Sequence, residues 1–106
     1  HTRCIALIMD DPDAMGAVGK VWVHWIFYNN YYPTWTPVSG KNDFGEIGYG
    51  GPCPPKGHGP HRYYFKLYAL DTQIDAEPGI EKGPLLGMME NHILEETQIM
   101  GTYEVK

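Results

Sequence analysis

The sequence predicts a mostly β protein with three strands, a helix near the C-terminus and a short last strand. Two observations carry this prediction: three short segments have the composition of strands, and 106 residues include 13 glycines and 9 prolines. Turn-forming residues at this frequency favour strands joined by shaped loops over a helical bundle. A chain of this length suits one domain, so we treat residues 1–106 as a single domain.

The three predicted strands are short and rich in residues that favour extended backbone. Cys4 to Met9 is a continuous apolar run, which is typical of a strand buried on both faces. Val21 to Tyr28 and Arg62 to Leu70 are rich in β-branched and aromatic residues. The predicted order of elements therefore begins with three strands.

The rest of the chain is predicted as a long loop, a helix and a last strand. The segment 29–60 contains several prolines and glycines and is expected to be irregular. Pro84 to Gln98 is expected to be helical, and Gly101 to Val105 a short strand. The helical spacing is carried by three apolar residues, Leu85, Met89 and Ile93.

Charge and cysteine content exclude several classes of function. The net charge of −5 argues against binding to nucleic acid or to anionic lipid surfaces. No apolar run approaches the ~20 residues that cross a bilayer, so we expect no stable membrane insertion. Cys4 and Cys53 do not define a disulfide framework, and we expect a cytoplasmic protein with free thiols.

Polar residues concentrate in two segments that adjoin predicted strands. One is DDPDA at 10–14 followed by WVHW at 22–25, and the other is GGPCPPKGHGPHRY at 50–63. Loops at the ends of rigid strands often form binding sites, because their backbone N–H groups are free. Side chains alternate along a strand, so His24 is expected to share a face with Trp22 and Ile26.

Each of these polar residues has a structural interpretation as well as a functional one. His24 is either a core histidine with one hydrogen bond or a donor to a ligand oxygen, and His61 offers similar donors. Asp11 and Asp13 are typical of turns. The planar fork of Arg62 matches a carboxylate, which favours pairing with an acid.

The order and spacing of these motifs resemble the phosphatidylethanolamine-binding protein family. The strings DDPDA, WVHW and GGPCPPKGHGPHRYYFKLYAL resemble its two signature regions, and MMENHILEETQIMGTY resembles the helix and last strand of its prokaryotic branch. The resemblance covers nearly the whole chain. It implies an antiparallel β-sandwich with Greek-key connections and a C-terminal helix, and we expect the N-terminal strands of the family to be missing.

The resemblance also implies a small anion-binding pocket and no cofactor. In the family such a pocket takes phosphate, acetate, cacodylate or a phospholipid head group. The residues that match its ligand-binding positions are Asp11, His24, Pro54, Gly57, His61 and Tyr63. Asp13 and Arg62 match positions that brace the loop. Met15 departs from the pattern, because the family usually has proline there.

The expected function is binding of a phosphorylated ligand or a phospholipid head group, with a kinase or a protease as a candidate protein partner to be inhibited. The alternative is a hydrolase that uses the His/Asp pocket for acid–base chemistry. Against it, Ser39 is the only serine and Cys53 has no evident activating neighbour in the sequence. A zinc site formed by His24, His61 and an aspartate is a third interpretation.

We predict that the 106 residues do not form the whole folded unit. A sandwich needs strands on both sheets to cover its core, and about four strands are predicted here. An N-terminal segment or another chain would then supply the missing strands. Intact mass spectrometry with size-exclusion chromatography tests this expectation. A 12.0 kDa monomer with one cooperative melting transition would contradict it.

Overall fold

The computed structural model describes residues 1–31 and 35–106. Its main element is a five-stranded antiparallel sheet. The strand order across the sheet is β3-β2-β1-β4-β5. The mostly β, antiparallel fold class is thus confirmed. The loop predicted over 29–60 includes residues 32–34, which lie outside the described residues. The strands are β1 (Cys4–Asp11), β2 (Trp22–Asn30), β3 (Pro37–Ser39), β4 (His61–Leu70) and β5 (Ile93–Tyr103).

The helices are short. A 3-10 helix (Pro12–Ala14) follows β1 and leads into α1 (Met15–Val18), and α2 (Lys82–Met89) precedes β5. Met15 stands where the family usually has proline, and its N–H donates to the carbonyl of Pro12. Among the described residues, no helix combines the length and apolar character needed to span a membrane.

The predicted helix over 84–98 and the short strand over 101–105 are wrong in their boundaries. Helix α2 ends at Met89, and Asn91 adopts a left-handed conformation with φ of 69°. From Ile93 onwards the chain pairs with β4, so that Tyr103 lies opposite His61. Ile93, the third apolar residue of the helical spacing, pairs with Leu70 of the ten-residue strand β4. This backbone pairing overrides the helical pattern of the sequence.

The hydrophobic core lies on one face of the sheet, where α2 packs. The sheet, α2 and the segment between β4 and α2 together bury ten residues there: Cys4, Ala6, Ile8, Val23, Ile26, Tyr28, Leu70, Ile74, Leu85 and Met89. The other face of the sheet is less covered in the described residues. Leu67 on β4 and Ile99 on β5 are 37% and 71% exposed on that side.

A β-bulge interrupts the pairing of β1 with β2 beside the buried core. Met9 lies opposite Trp25 and Asp10 lies opposite Val23, so His24 is the extra residue. Because of the extra residue, Val23 and Ile26 both pack in the core although they are three positions apart. The prediction that His24 shares a face with Ile26 is therefore wrong. The bulge turns His24 away from the core.

An ionic cluster holds the end of β1 on the core side. Asp10 is buried, and its Oδ2 accepts hydrogen bonds from Lys66 Nζ at 3.2 Å and Lys82 Nζ at 2.9 Å. These lysines belong to β4 and α2, so the contact ties three elements together. Asp11, the next residue, then projects towards the opposite side, because neighbours in a strand alternate.

We predict that α2 stabilises the fold through its buried side and not through its exposed one. Leu85 is 0% exposed and Leu86 is 38% exposed in the same helix. Leu85→Ala should reduce the free energy of unfolding by about 2–5 kcal/mol, because it opens a cavity in the core. Leu86→Ala is the matched control and should change it by less than about 1 kcal/mol. Urea titration measures both, and equal effects would contradict the packing.

Candidate functional site

A cavity of about 150 Å³ lies where the end of β1, the bulge of β2, the start of β4 and the loop at 53–55 meet. It contains groups that can hydrogen-bond or titrate and is otherwise walled by apolar side chains. The polar and titratable residues are Asp11, His24, Cys53, His61 and Tyr63. The apolar walls are formed by Ala14, Ala17, Val18, Trp22, Phe44, Pro54 and Pro55.

The structure brings five of the six predicted ligand-binding residues to this cavity and leaves one outside. Asp11, His24, Pro54, His61 and Tyr63 all line it. Gly57, the sixth, is not a lining residue, in contrast to the prediction. Its N–H instead donates to the carbonyl of Val105 at 2.8 Å. This hydrogen bond uses the backbone N–H that would otherwise be free to bind a ligand.

Asp11 and His61 form a buried pair across β1 and β4. His61 Nδ1 lies 2.6 Å from Asp11 Oδ2, and both side chains are almost fully buried. A carboxylate can only accept, so Nδ1 of His61 carries the proton and donates. The other carboxylate oxygen, Oδ1, accepts from the N–H of Asp13 at 2.8 Å. Both oxygens of Asp11 are therefore occupied within the protein.

His24, the bulge residue, is fixed by two hydrogen bonds to Gly50. Its Nδ1 lies 2.8 Å from the Gly50 carbonyl oxygen, and its own carbonyl accepts from the Gly50 N–H at 2.8 Å. A Cβ at position 50 would overlap the ring of Phe44, so glycine allows this close approach. Because a carbonyl only accepts, Nδ1 donates and Nε2 is the ring nitrogen left for a ligand.

The hydroxyl of Tyr63 is a buried donor that has no partner in the described part of the chain. Tyr63 is 3% exposed, and its hydroxyl oxygen has no hydrogen-bond partner among the described residues. Burial raises the pKa of Tyr63 to about 12, and the nearby charge of Asp11 adds to the shift. The phenol therefore keeps its proton at neutral pH. Its ring makes an edge contact with His24, with centroids 5.2 Å apart.

Arg62 and Asp13 form a two-pronged ion pair at the surface beside the cavity. Arg62 Nε lies 2.9 Å from Asp13 Oδ2, and Nη2 lies 2.8 Å from Oδ1. Oδ2 also accepts from the Arg62 N–H at 2.8 Å. These contacts lower the pKa of Asp13 from 3.8 to about 2, chiefly through the side-chain hydrogen bonds from Arg62. Asp13 in turn raises the pKa of Arg62.

The sequence analysis predicted neither the contact of His58 with His61 nor the position of Cys53 on the cavity wall. His58 Nδ1 lies 2.6 Å from His61 Nε2, on the side of the ring opposite Asp11. The spacing of His58 and His61 in a glycine- and proline-rich loop was the available signal. Both cysteines are free, with Cys53 exposed on the cavity wall. Within residues 1–31 and 35–106, no three His, Cys, Asp or Glu side chains are grouped to hold a metal ion.

Comparison with known proteins shows that the chain belongs to the phosphatidylethanolamine-binding protein family, whose model matches residues 1–104. It is 45% identical over 118 residues to a UPF0098 protein of Methanothermobacter thermautotrophicus, covering 97% of this chain and 74% of that protein. It is 40% identical over 122 residues to the UPF0098 protein PH1269 of Pyrococcus horikoshii. That match covers all of this chain but 60% of the relative's length.

Two solved structures share the fold at high similarity. A homolog of the phosphatidylethanolamine-binding protein from Chlamydia trachomatis, CT736, gives a TM-score of 0.85 at 39% identity. The comparison covers 99% of this chain and 74% of that one. YbcL of E. coli, described as a new member of the mammalian family, gives 0.82 at 33% identity, covering 99% and 73%.

We predict that the Arg62–Asp13 pair stabilises the fold only while Asp13 is ionised. A lowered pKa in the folded state means that the contribution is complete above about pH 4 and disappears as the pH falls through about 2. Asp13→Asn should therefore lower the melting temperature at pH 6, and its difference from the wild type should shrink towards pH 2. Asp75→Asn, at an exposed position, is the control. A difference independent of pH would refute this account.

Proposed function

We propose that the chain binds a phosphate-type anion in the cavity beside Tyr63. The observation that carries the proposal is the buried hydroxyl of Tyr63, which has no partner among the described residues and remains protonated. A buried donor without a partner costs free energy, commonly about 1–3 kcal/mol. An anionic oxygen in the cavity would satisfy this donor and remove that cost.

The two cavity histidines offer further donors to the same oxygen-rich group. His24 and His61 each use Nδ1 within the protein, the former on Gly50 and the latter on Asp11. A ring that carries protons on both nitrogens would also donate from Nε2, as a charged donor.

The volume and walls of the cavity restrict the ligand to a small group. The volume of about 150 Å³ lies well below the ~300–1,000 Å³ typical of sites for drug-sized ligands. A phosphate-sized group suits this space. The apolar walls formed by Trp22 and Phe44 would contact a short carbon substituent next to the anion. A phosphorylated small molecule and a phospholipid head group both present this chemistry. Regulation of a kinase or protease is an expectation that comes from the resemblance. Hydrolysis is the alternative function.

Removal of the Tyr63 hydroxyl tests the proposed function most specifically. Tyr63→Phe should weaken the binding of inorganic phosphate roughly 10- to 150-fold, because it deletes one hydrogen bond to a charged ligand and little else. Isothermal titration calorimetry at pH 7 measures the change. Tyr31→Phe removes a hydroxyl from a residue that is exposed and outside the cavity, and it should leave the affinity unchanged. Equal affinity in all three proteins would place binding elsewhere.

A further inference from the structure

His58 occupies the one nitrogen of His61 that faces away from Asp11. The His58 Nδ1 to His61 Nε2 distance is 2.6 Å, and the two ring centroids are 4.8 Å apart. His61 is buried at 2% exposure, whereas His58 is exposed. Since Nδ1 of His61 donates to Asp11, both ring nitrogens of His61 are already bonded within the protein.

A ring nitrogen of histidine makes one in-plane hydrogen bond, either through its proton or through its lone pair. His58 and a ligand oxygen therefore cannot both bond to Nε2 of His61. We propose that His58 is a built-in competitor at the anion site, which a bound anion displaces from His61. This inference rests on the proposed function, and it assigns to His58 the control of which ligands reach His61.

Displacement of His58 would require rotation of its side chain and no opening of the loop. The backbone at Gly57 and His58 is anchored, because the Gly57 N–H donates to the Val105 carbonyl and the His58 N–H donates to the Pro55 carbonyl at 3.1 Å. The flanking residues Gly57 and Gly59 have φ of 77° and 87°, with open space around each. The exposed His58 ring can thus turn outwards into solvent while the loop stays in place.

This competition would make the cavity selective for charged oxygens. An anionic oxygen only accepts, so it can bond to Nε2 of His61 only when that nitrogen carries a proton. A hydrogen bond from the doubly protonated ring to an anionic oxygen is charge-assisted and about twice as strong as a neutral one. A phosphate or sulfate oxygen can therefore replace His58, whereas a neutral hydroxyl or water gains little by doing so. His58 accordingly acts as a specificity-determining residue that lowers affinity for all ligands and admits those with sufficient charge.

The test compares inorganic phosphate binding by the wild type, His58→Ala and His92→Ala. His92 is the matched control, since it is a partly exposed histidine that pairs with Asp71 outside the cavity. Calorimetric titration at pH 7 should show about 2- to 10-fold tighter binding by His58→Ala, because no hydrogen bond is then broken on binding. His92→Ala should bind as the wild type does.

The possible results separate the competitor from the site itself. Unchanged or weaker phosphate binding by His58→Ala, with binding by the wild type, would overturn the competition and leave the anion site standing. Absence of binding in both proteins would overturn the proposed function and the competition with it. A second readout uses the wild type alone: long-range 1H–15N spectra should show the His58 ring nitrogens moving to solvent-exposed values as phosphate is added. Resonances that stay unchanged while phosphate binds would also overturn the proposal.

Discussion

The buried pair of Asp11 and His61 is the contact on which the cavity depends. A carboxylate removed from water is costly unless hydrogen bonds replace its hydration, and an uncompensated one would shift its protonation or destabilise the fold. Here the 3-10 helix after β1 supplies the N–H of Asp13, and β4 supplies the imidazole of His61. The same arrangement fixes which nitrogen of His61 faces outwards. Asp11, the last residue of β1, therefore determines which nitrogen of His61 a ligand can contact.

Two features of the strands determine which polar groups surround this pair. The bulge in β2 turns His24 to the cavity side while Val23 stays in the core, and Gly50 takes the place of a strand partner for His24. At the end of β1, the successive aspartates serve opposite sides, with Asp10 bonded to two lysines and Asp11 to His61. One sheet thus carries a packed core on one side and, at the ends of its inner strands, a cavity with a few polar groups on the other.

The sequence allowed prediction of the strands more accurately than of the helix. Strands β1, β2 and β4 are marked by short apolar and aromatic runs. Five of the six motif residues singled out in the sequence line one cavity, and Gly57 does not. The helix was extended too far, because Leu85, Met89 and Ile93 fit a helical period that takes no account of the β4 edge available to residue 93. The bulge at His24 and the contact of His58 with His61 depend on pairing between distant segments, which local alternation cannot reveal.

The central claim is that an anion binds among Tyr63, His24 and His61. It is tested most directly by crystals grown without oxyanions and then soaked in selenate, whose selenium atom is located by anomalous diffraction. The account predicts a peak inside the cavity, with selenate oxygens about 3 Å from the Tyr63 hydroxyl and from Nε2 of one or both histidines. A cavity without a selenium peak, in crystals where selenate occupies surface lysines instead, would contradict it.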